Sequence, residues 1–181
     1  MAQAPIGRFE QAWPATERPD LVAAAVTEAL RGWPSADAVL VVDTDPANAD
    51  TAVFGEVYGV APELSANCVV VAGRRGETTT MAACVILAST RADVNGIVRK
   101  RLGARKASFA PMDDAVAQTG MEYGGITPIG LPAPWPVYVD AAVLERDVVV
   151  IGSGLRRSKI ALPAAALSEL PGAEVVAGLA S

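Results

Sequence analysis

The chain has 181 residues, enough for one domain, with 15 Lys+Arg against 20 Asp+Glu, two cysteines and no histidine. The missing imidazole excludes Ser-His-Asp and Cys-His nucleophiles, histidine zinc sites and a histidine general base, leaving carboxylates, Lys, Tyr, Ser/Thr, Cys, backbone amides or the substrate itself. A hydrophobic fraction of 51% with 19% charged residues excludes a disordered chain.

Met1 to Gln11 has no basic n-region or apolar h-region, and no apolar run approaches membrane-spanning length, so the expectation is a cytoplasmic protein with no membrane association. Cys68 and Cys84 lack metal-ligand spacing and read as buried small hydrophobes; no metal or cofactor is expected. The charge is uneven: residues 1–73 sum to −7 and residues 74–181 to +2. Bases bunch at Arg99, Lys100, Arg101, Arg105 and Lys106, and again at Arg156, Arg157 and Lys159. Such patches suit a phosphate backbone, or are simply solvated helix ends.

In chain order, residues 1–34 read as an arm anchored by Trp13 and a helix from Asp20 to about Arg31, stopped by Gly32 and Pro34. Residues 35–181 read as a single-core domain. Ala38 to Val42 is an apolar strand, and Asp50 opens a helix to Val60. Cys68–Ala72 and Thr78–Leu87 form a hairpin about the turn Gly73 to Glu77. Asp93 caps a helix ended by Gly103; Lys106–Phe109 is a short strand and Met112–Thr119 a helix. Gly120 to Pro136 is too rich in Gly and Pro for a helix or central strand. Val137–Val139, Val148–Ile151, Lys159–Leu162 and Glu174–Val176 read as strands, and Pro163–Leu170 as a helix. Helices interspersed with hairpin-linked strands predict a mixed sheet in an α/β (α+β) fold.

Three constellations bear on chemistry. Asp43-Thr44-Asp45 after an apolar strand has the Asp-x-Asp spacing of aspartate-nucleophile phosphotransferases that use magnesium, and equally that of a turn before Pro46. Gly152-Ser153-Gly154 is half of a dinucleotide fingerprint without its third glycine, and so a tight turn. Gly124-Gly125-Ile126-Thr127-Pro128-Ile129-Gly130 can point successive backbone N–H groups into one concavity and cradle a developing oxyanion, or merely connect strands.

Lys106-Ala107-Ser108-Phe109-Ala110, Thr119-Gly120, Gly124 through Leu131, Val137-Tyr138-Val139-Asp140 and Val150-Ile151-Gly152-Ser153-Gly154, in that order, resemble the YbaK/EbsC-type aminoacyl-tRNA deacylases, relatives of the editing domain of bacterial prolyl-tRNA synthetase. The resemblance reaches back through Asp50-Thr51-Ala52 and Glu63 to Val70, covering roughly residues 35–177. It implies a curved mixed sheet partly closed as a barrel with surrounding helices, and ester hydrolysis that removes a wrong amino acid from tRNA. It further implies a site with Asn67, Gly124 and Gly125 in the chemistry and Thr51, Ile126, Thr127, Pro128, Gly152, Ser153 and Gly154 around the substrate. The two basic clusters would take the acceptor end of the aminoacyl-tRNA, and an aminoacyl-tRNA synthetase is a further partner suggested by the relatives. Asn67 stands where better-studied relatives have lysine, and Ala164-Ala165-Ala166 where many have an acid or histidine, which marks a divergent subgroup. The competing expectation is a non-catalytic module that holds an aminoacyl-tRNA or an amino-acid-like ligand.

Overall fold

The computed structural model describes residues 4–181 and contains two sheets with helices around them. The longest feature is the hairpin of β3 (Ala66–Arg75) and β4 (Thr78–Leu87), ten residues each, paired from Ala66↔Leu87 to Arg75↔Thr78. Only Gly76 and Glu77 remain for the turn, and Gly76 supplies the left-handed φ of 62° that a two-residue hairpin needs. The strands therefore extend past the sequence expectation at both ends of β3. Alternation sorts their side chains: Ala66, Ala83, Val85 and Leu87 enter the main core, while Val71, Ala82, Cys84 and Ile86 enter a second cluster with Val94 and Val98.

On this hairpin β5 (Lys106–Phe109) adds antiparallel to β3, and β6 (Val137–Asp140) and β9 (Ala173–Val176) add in parallel beyond β4, giving the order β5-β3-β4-β6-β9. The other sheet is antiparallel, in the order β1 (Trp13–Pro14), β2 (Leu40–Asp43), β8 (Ser158–Pro163) and β7 (Val148–Gly152). The expected single curved sheet, partly closed as a barrel, is thus replaced by two sheets that do not close. Their only direct backbone link among the described residues is an isolated parallel bridge, Ser65↔Val150. The main core lies between them and takes Val41, Ile151 and Ile160 from one sheet and Val85, Val137 and Val139 from the other.

The N-terminal segment also enters this core through Leu21, Val22, Val26 and Leu30. The helix expected from Asp20 instead begins later, as α1 (Ala24–Leu30). Asp20 is taken by a bidentate pair with Arg18 at 2.7 and 2.8 Å, and the Ala23 N–H is drawn to the Ser153 carbonyl at 3.0 Å, which holds Val22 extended. A tertiary partner overrides the local cap. Trp13 is half-buried, with the Arg18 guanidinium 4.4 Å over its ring. Met1 to Gln3 of the expected arm lie outside the described residues.

Helix α2 (Thr51–Tyr58) ends two residues before the expected Val60, with Gly59 as its cap. Asp93 caps as expected, accepting from the Gly96 and Ile97 amides, but Val94–Val98 is wound as a π-helix before α3 (Arg99–Arg101). Helix α4 (Met112–Thr119) matches the expectation. A short α5 (Ala141–Leu144), capped by the Asp140 carboxylate, adds to the expected elements, and the helix expected over Pro163–Leu170 is a 3₁₀ helix over Ala164–Glu169. Among the described residues no helix is long and apolar enough to cross a membrane.

Candidate active site

The N-terminus of α2, the first half of β3 and the loop after α4 enclose a cleft of about 380 Å³, in the size range of small-ligand sites. Ala66 to Val70 of β3 form its floor, Ala49 to Thr51 one wall, and Tyr123, Gly124 and Ile126 the facing wall, with Gly152 and Lys159 at its inner end. Phe109, Met112 and Tyr123 line it while remaining largely exposed, so its mouth is apolar and aromatic. A recess of about 20 Å³ adjoins it, lined among others by Thr51, Ser65, Asn67, Gly152 and Lys159.

Thr51 and Asn67 meet here although 16 residues apart. The Thr51 hydroxyl donates to Asn67 Oδ1 at 3.1 Å, which leaves the Asn67 amide NH₂ free of protein partners among the described residues. Lys159, expected in a surface tRNA patch, is instead buried in the cleft. Its Nζ donates to the Ala49 carbonyl at 3.1 Å and toward the Gly124 carbonyl at 3.5 Å, and lies 5.4 Å from the centre of the Phe54 ring. Burial, reinforced by nearby Arg156, lowers its pKa below the ordinary lysine value, and Asp50 works the other way. The sequence signal for this placement was a lysine inside the apolar strand Ser158-Lys159-Ile160-Ala161-Leu162, where a solvated charge does not belong.

Only part of the glycine-rich loop reaches the cleft. Gly124 and Ile126 line it; Gly125, Thr127 and Pro128 are buried outside its wall. The Gly125 N–H donates to the Glu122 carbonyl at 2.9 Å, so it is not a free oxyanion donor. The backbone amides of Gly124 and Ile126 have no protein acceptor among the described residues. Gly125 is instead a packing glycine: a Cβ there would meet Leu155 backbone atoms at 2.7–2.9 Å. Gly152 lines the cleft, whereas Ser153 is fully buried and bonded to Ser158, and Gly154 packs against Ala23. Of the three residues of this turn, only Gly152 lines the cleft.

The basic clusters also divide. Arg156 donates to the Tyr123 and Pro46 carbonyls and sits 3.7 Å from Asp50, while Arg157 pairs with Asp43 at 2.9 Å. Arg101 pairs with Glu174 at 2.9 Å, and the Arg99 guanidinium donates to the Asn95 carbonyl. Lys100, Arg105 and Lys106 are exposed and, among the described residues, have no acid within 4.0 Å. Register brings Arg74 opposite Lys106, so the hairpin end adds Arg74 and Arg75 to this cluster, residues the linear spacing did not connect. The Asp-x-Asp pair is absorbed structurally, Asp43 by Arg157 and Asp45 as a cap on the Ala47 amide. Cys68 lines the cleft, but burial and its neighbour Cys84 push its thiol well above the ordinary range, opposing thiolate formation.

Among solved structures, the chain is similar to a candidate trans-editing enzyme for prolyl-tRNA synthetase, at 21% identity with a TM-score of 0.71, over 84% of this chain and 93% of that one. A scaffold protein used for computational epitope grafting superposes with a TM-score of 0.72 at 22% identity, over 86% and 95%. The hypothetical protein APE2540 gives 0.68 at 23%, over 78% and 90%. These likenesses show a shared fold. The family model for the aminoacyl-tRNA editing domain matches residues 45–170, a span that contains every residue lining the cleft. The chain therefore belongs to the aminoacyl-tRNA editing domain family.

Proposed function

We propose that this protein is a trans-editing deacylase, which hydrolyses the ester joining a wrong amino acid to the terminal ribose of a tRNA. The observation that carries the reading is the convergence of Thr51, Asn67 and the Gly124 loop on one cleft inside the family-matched span. Water adds to the ester carbonyl, the bond to the ribose oxygen breaks, and the proton passes to that oxygen, with a neighbouring ribose hydroxyl as relay. In a cleft without imidazole, the substrate's own hydroxyl is the available proton carrier. The free NH₂ of Asn67 orients the amino acid or the water, its rotamer held by the Thr51 hydroxyl. The Gly124 and Ile126 amides supply donors toward the carbonyl. Phe109, Met112 and Tyr123 offer apolar surface on which a terminal base stacks, and the exposed Lys100, Arg105 and Lys106 suit acceptor-stem phosphates. The modest side chains lining the cleft favour a small amino acid.

The test is release of labelled amino acid from a panel of mischarged tRNAs. At least one should be hydrolysed well above the buffer rate. EDTA should leave that rate unchanged, because among the described residues exposed Asp50 is the only carboxylate lining the cleft. Tight binding with no release across the panel would mark a holding module instead.

A further inference from the structure

Among the described residues, Lys159 is a buried cation with no counter-ion in contact. It is 7% exposed, and no carboxylate lies within 4.0 Å of it among the described residues. The nearest acid acting on it, Asp50, is exposed and already sits beside Arg156. Two carbonyl oxygens, those of Ala49 and Gly124, take two of the three ammonium hydrogens. Burying a charge without its partner is costly, and such a group persists in a cleft wall where a ligand or a reaction supplies the opposite charge. The remaining polar side chains of the inner cleft, Thr51 and Asn67, are neutral, so any anion formed there has Lys159 as its one cationic partner. The adjoining recess, at about 20 Å³, has room for a single water with Thr51, Ser65, Asn67 and Lys159 as polar side chains around it.

Resting on the deacylase reading, we infer that Lys159 is a catalytic residue whose third N–H holds the acyl carbonyl oxygen as it becomes an oxyanion, beside a water seated in the recess. The oxygen gains its charge when the water adds to the carbonyl carbon. It gives that charge up as the carbonyl re-forms and the bond to the ribose oxygen breaks, the ribose oxygen keeping the electron pair and receiving the proton. Lys159 stays protonated throughout. The charge is thus matched only in the transition state, which is where matching raises turnover. The Gly124 contact also ties the loop to β8, so the same side chain fixes the wall that faces the substrate.

The experiment is single-turnover deacylation by wild type, Lys159→Gln and Lys159→Met, on the mischarged tRNA hydrolysed fastest. Gln keeps a neutral donor for the two carbonyls and removes only the charge. Expected is a fall of about 10²–10³ in the chemical step for both variants, with substrate affinity within about twofold. A merely structural lysine would be rescued by Gln. The second measurement needs no variant: on an N-acetylated aminoacyl-tRNA, whose amine no longer titrates, the wild-type rate corrected for spontaneous hydrolysis should fall as pH rises and Lys159 loses its proton. The other charged or titratable groups around Lys159 are Asp50, Cys68 and Tyr123 in the cleft and Arg156 beside Asp50, and of these only the arginine is a cation. Gln at the wild-type rate, a loss confined to affinity, or a corrected rate that keeps rising to pH 10.5 would overturn the inference while leaving the deacylase reading intact. Wild type at the buffer rate on every tRNA would overturn both.

Discussion

At the scale of single residues, Lys159 makes stability depend on pH in a direction that can be worked out. Its folded pKa is lowered by burial, so between that value and the ordinary lysine value of 10.5 the unfolded chain holds a proton that the folded chain has released. Stability from this group is therefore smallest at neutral pH and rises through that window. Buried Cys84, pushed up to about 12, together with Cys68 and Tyr138, acts in the opposite sense, but all three are present in a Lys159→Met variant and cancel in the comparison. Thermal melts of wild type and Lys159→Met at pH 7 to 10.5 should show their difference moving steadily in favour of wild type as pH rises. A difference that stays flat would mean Lys159 is not desolvated in solution. Asn67 is the simpler case: its neighbours in the strand announced a floor position, but the Thr51 hydroxyl that orients it came from another element, which no local pattern encodes.

Between elements, the loop after α4 and the β7–β8 turn are joined at backbone distance. A Cβ on Gly125 would strike the Leu155 main chain, and one on Gly152 would strike the Gly125 and Ile126 carbonyls. Gly125→Val should therefore act as a folding mutation, costing about 3 kcal/mol or more, the upper end of overpacking. Gly124→Ala meets only the flexible end of Arg156, and at φ 85° should cost about 1–2 kcal/mol of backbone strain. Urea denaturation ranks the two, and equal stabilities would contradict the packing role given to Gly125. The sequence made the glycine loop visible as a place of close approach, but not which glycine met substrate and which met backbone. Likewise, apolar runs in β3, β4 and β8 marked the strands. They carried no information on which strand lay alongside, so the division into two sheets was hidden. The short α5 escaped because four residues hold no helical period, and Asp20 misled because its best partner was Arg18 rather than a helix amide.

For the whole molecule, the negative total charge conceals a basic end built from Arg74, Arg75, Lys100, Arg105 and Lys106, and β5 runs from that end to Phe109 at the cleft mouth. Three residues of strand span about 10 Å, so the basic end and the cleft mouth lie close together. Replacing Lys100, Arg105 and Lys106 by Gln should weaken tRNA binding alike for all tRNAs and flatten the log–log salt slope by up to about 3. Neutralising Arg156 and Arg157 should change the slope less, since both already face carboxylates. Equal slopes in the two mutants would assign the binding surface elsewhere. The pairing of β2 with β8 has a consequence for how the molecule is made. Leu40 finds its partner in Ala161, 121 residues downstream, and among the described residues β2 has no other sheet partner but the two-residue β1. At translation rates of about 5–20 residues per second, these early strands wait roughly 6–24 s with open edges while the hairpin sheet is being synthesised. The antiparallel sheet thus cannot close until β8 has been made, and nascent chains stalled before residue 158 would expose the apolar Val39 to Val42 run to the cell's chaperones and proteases.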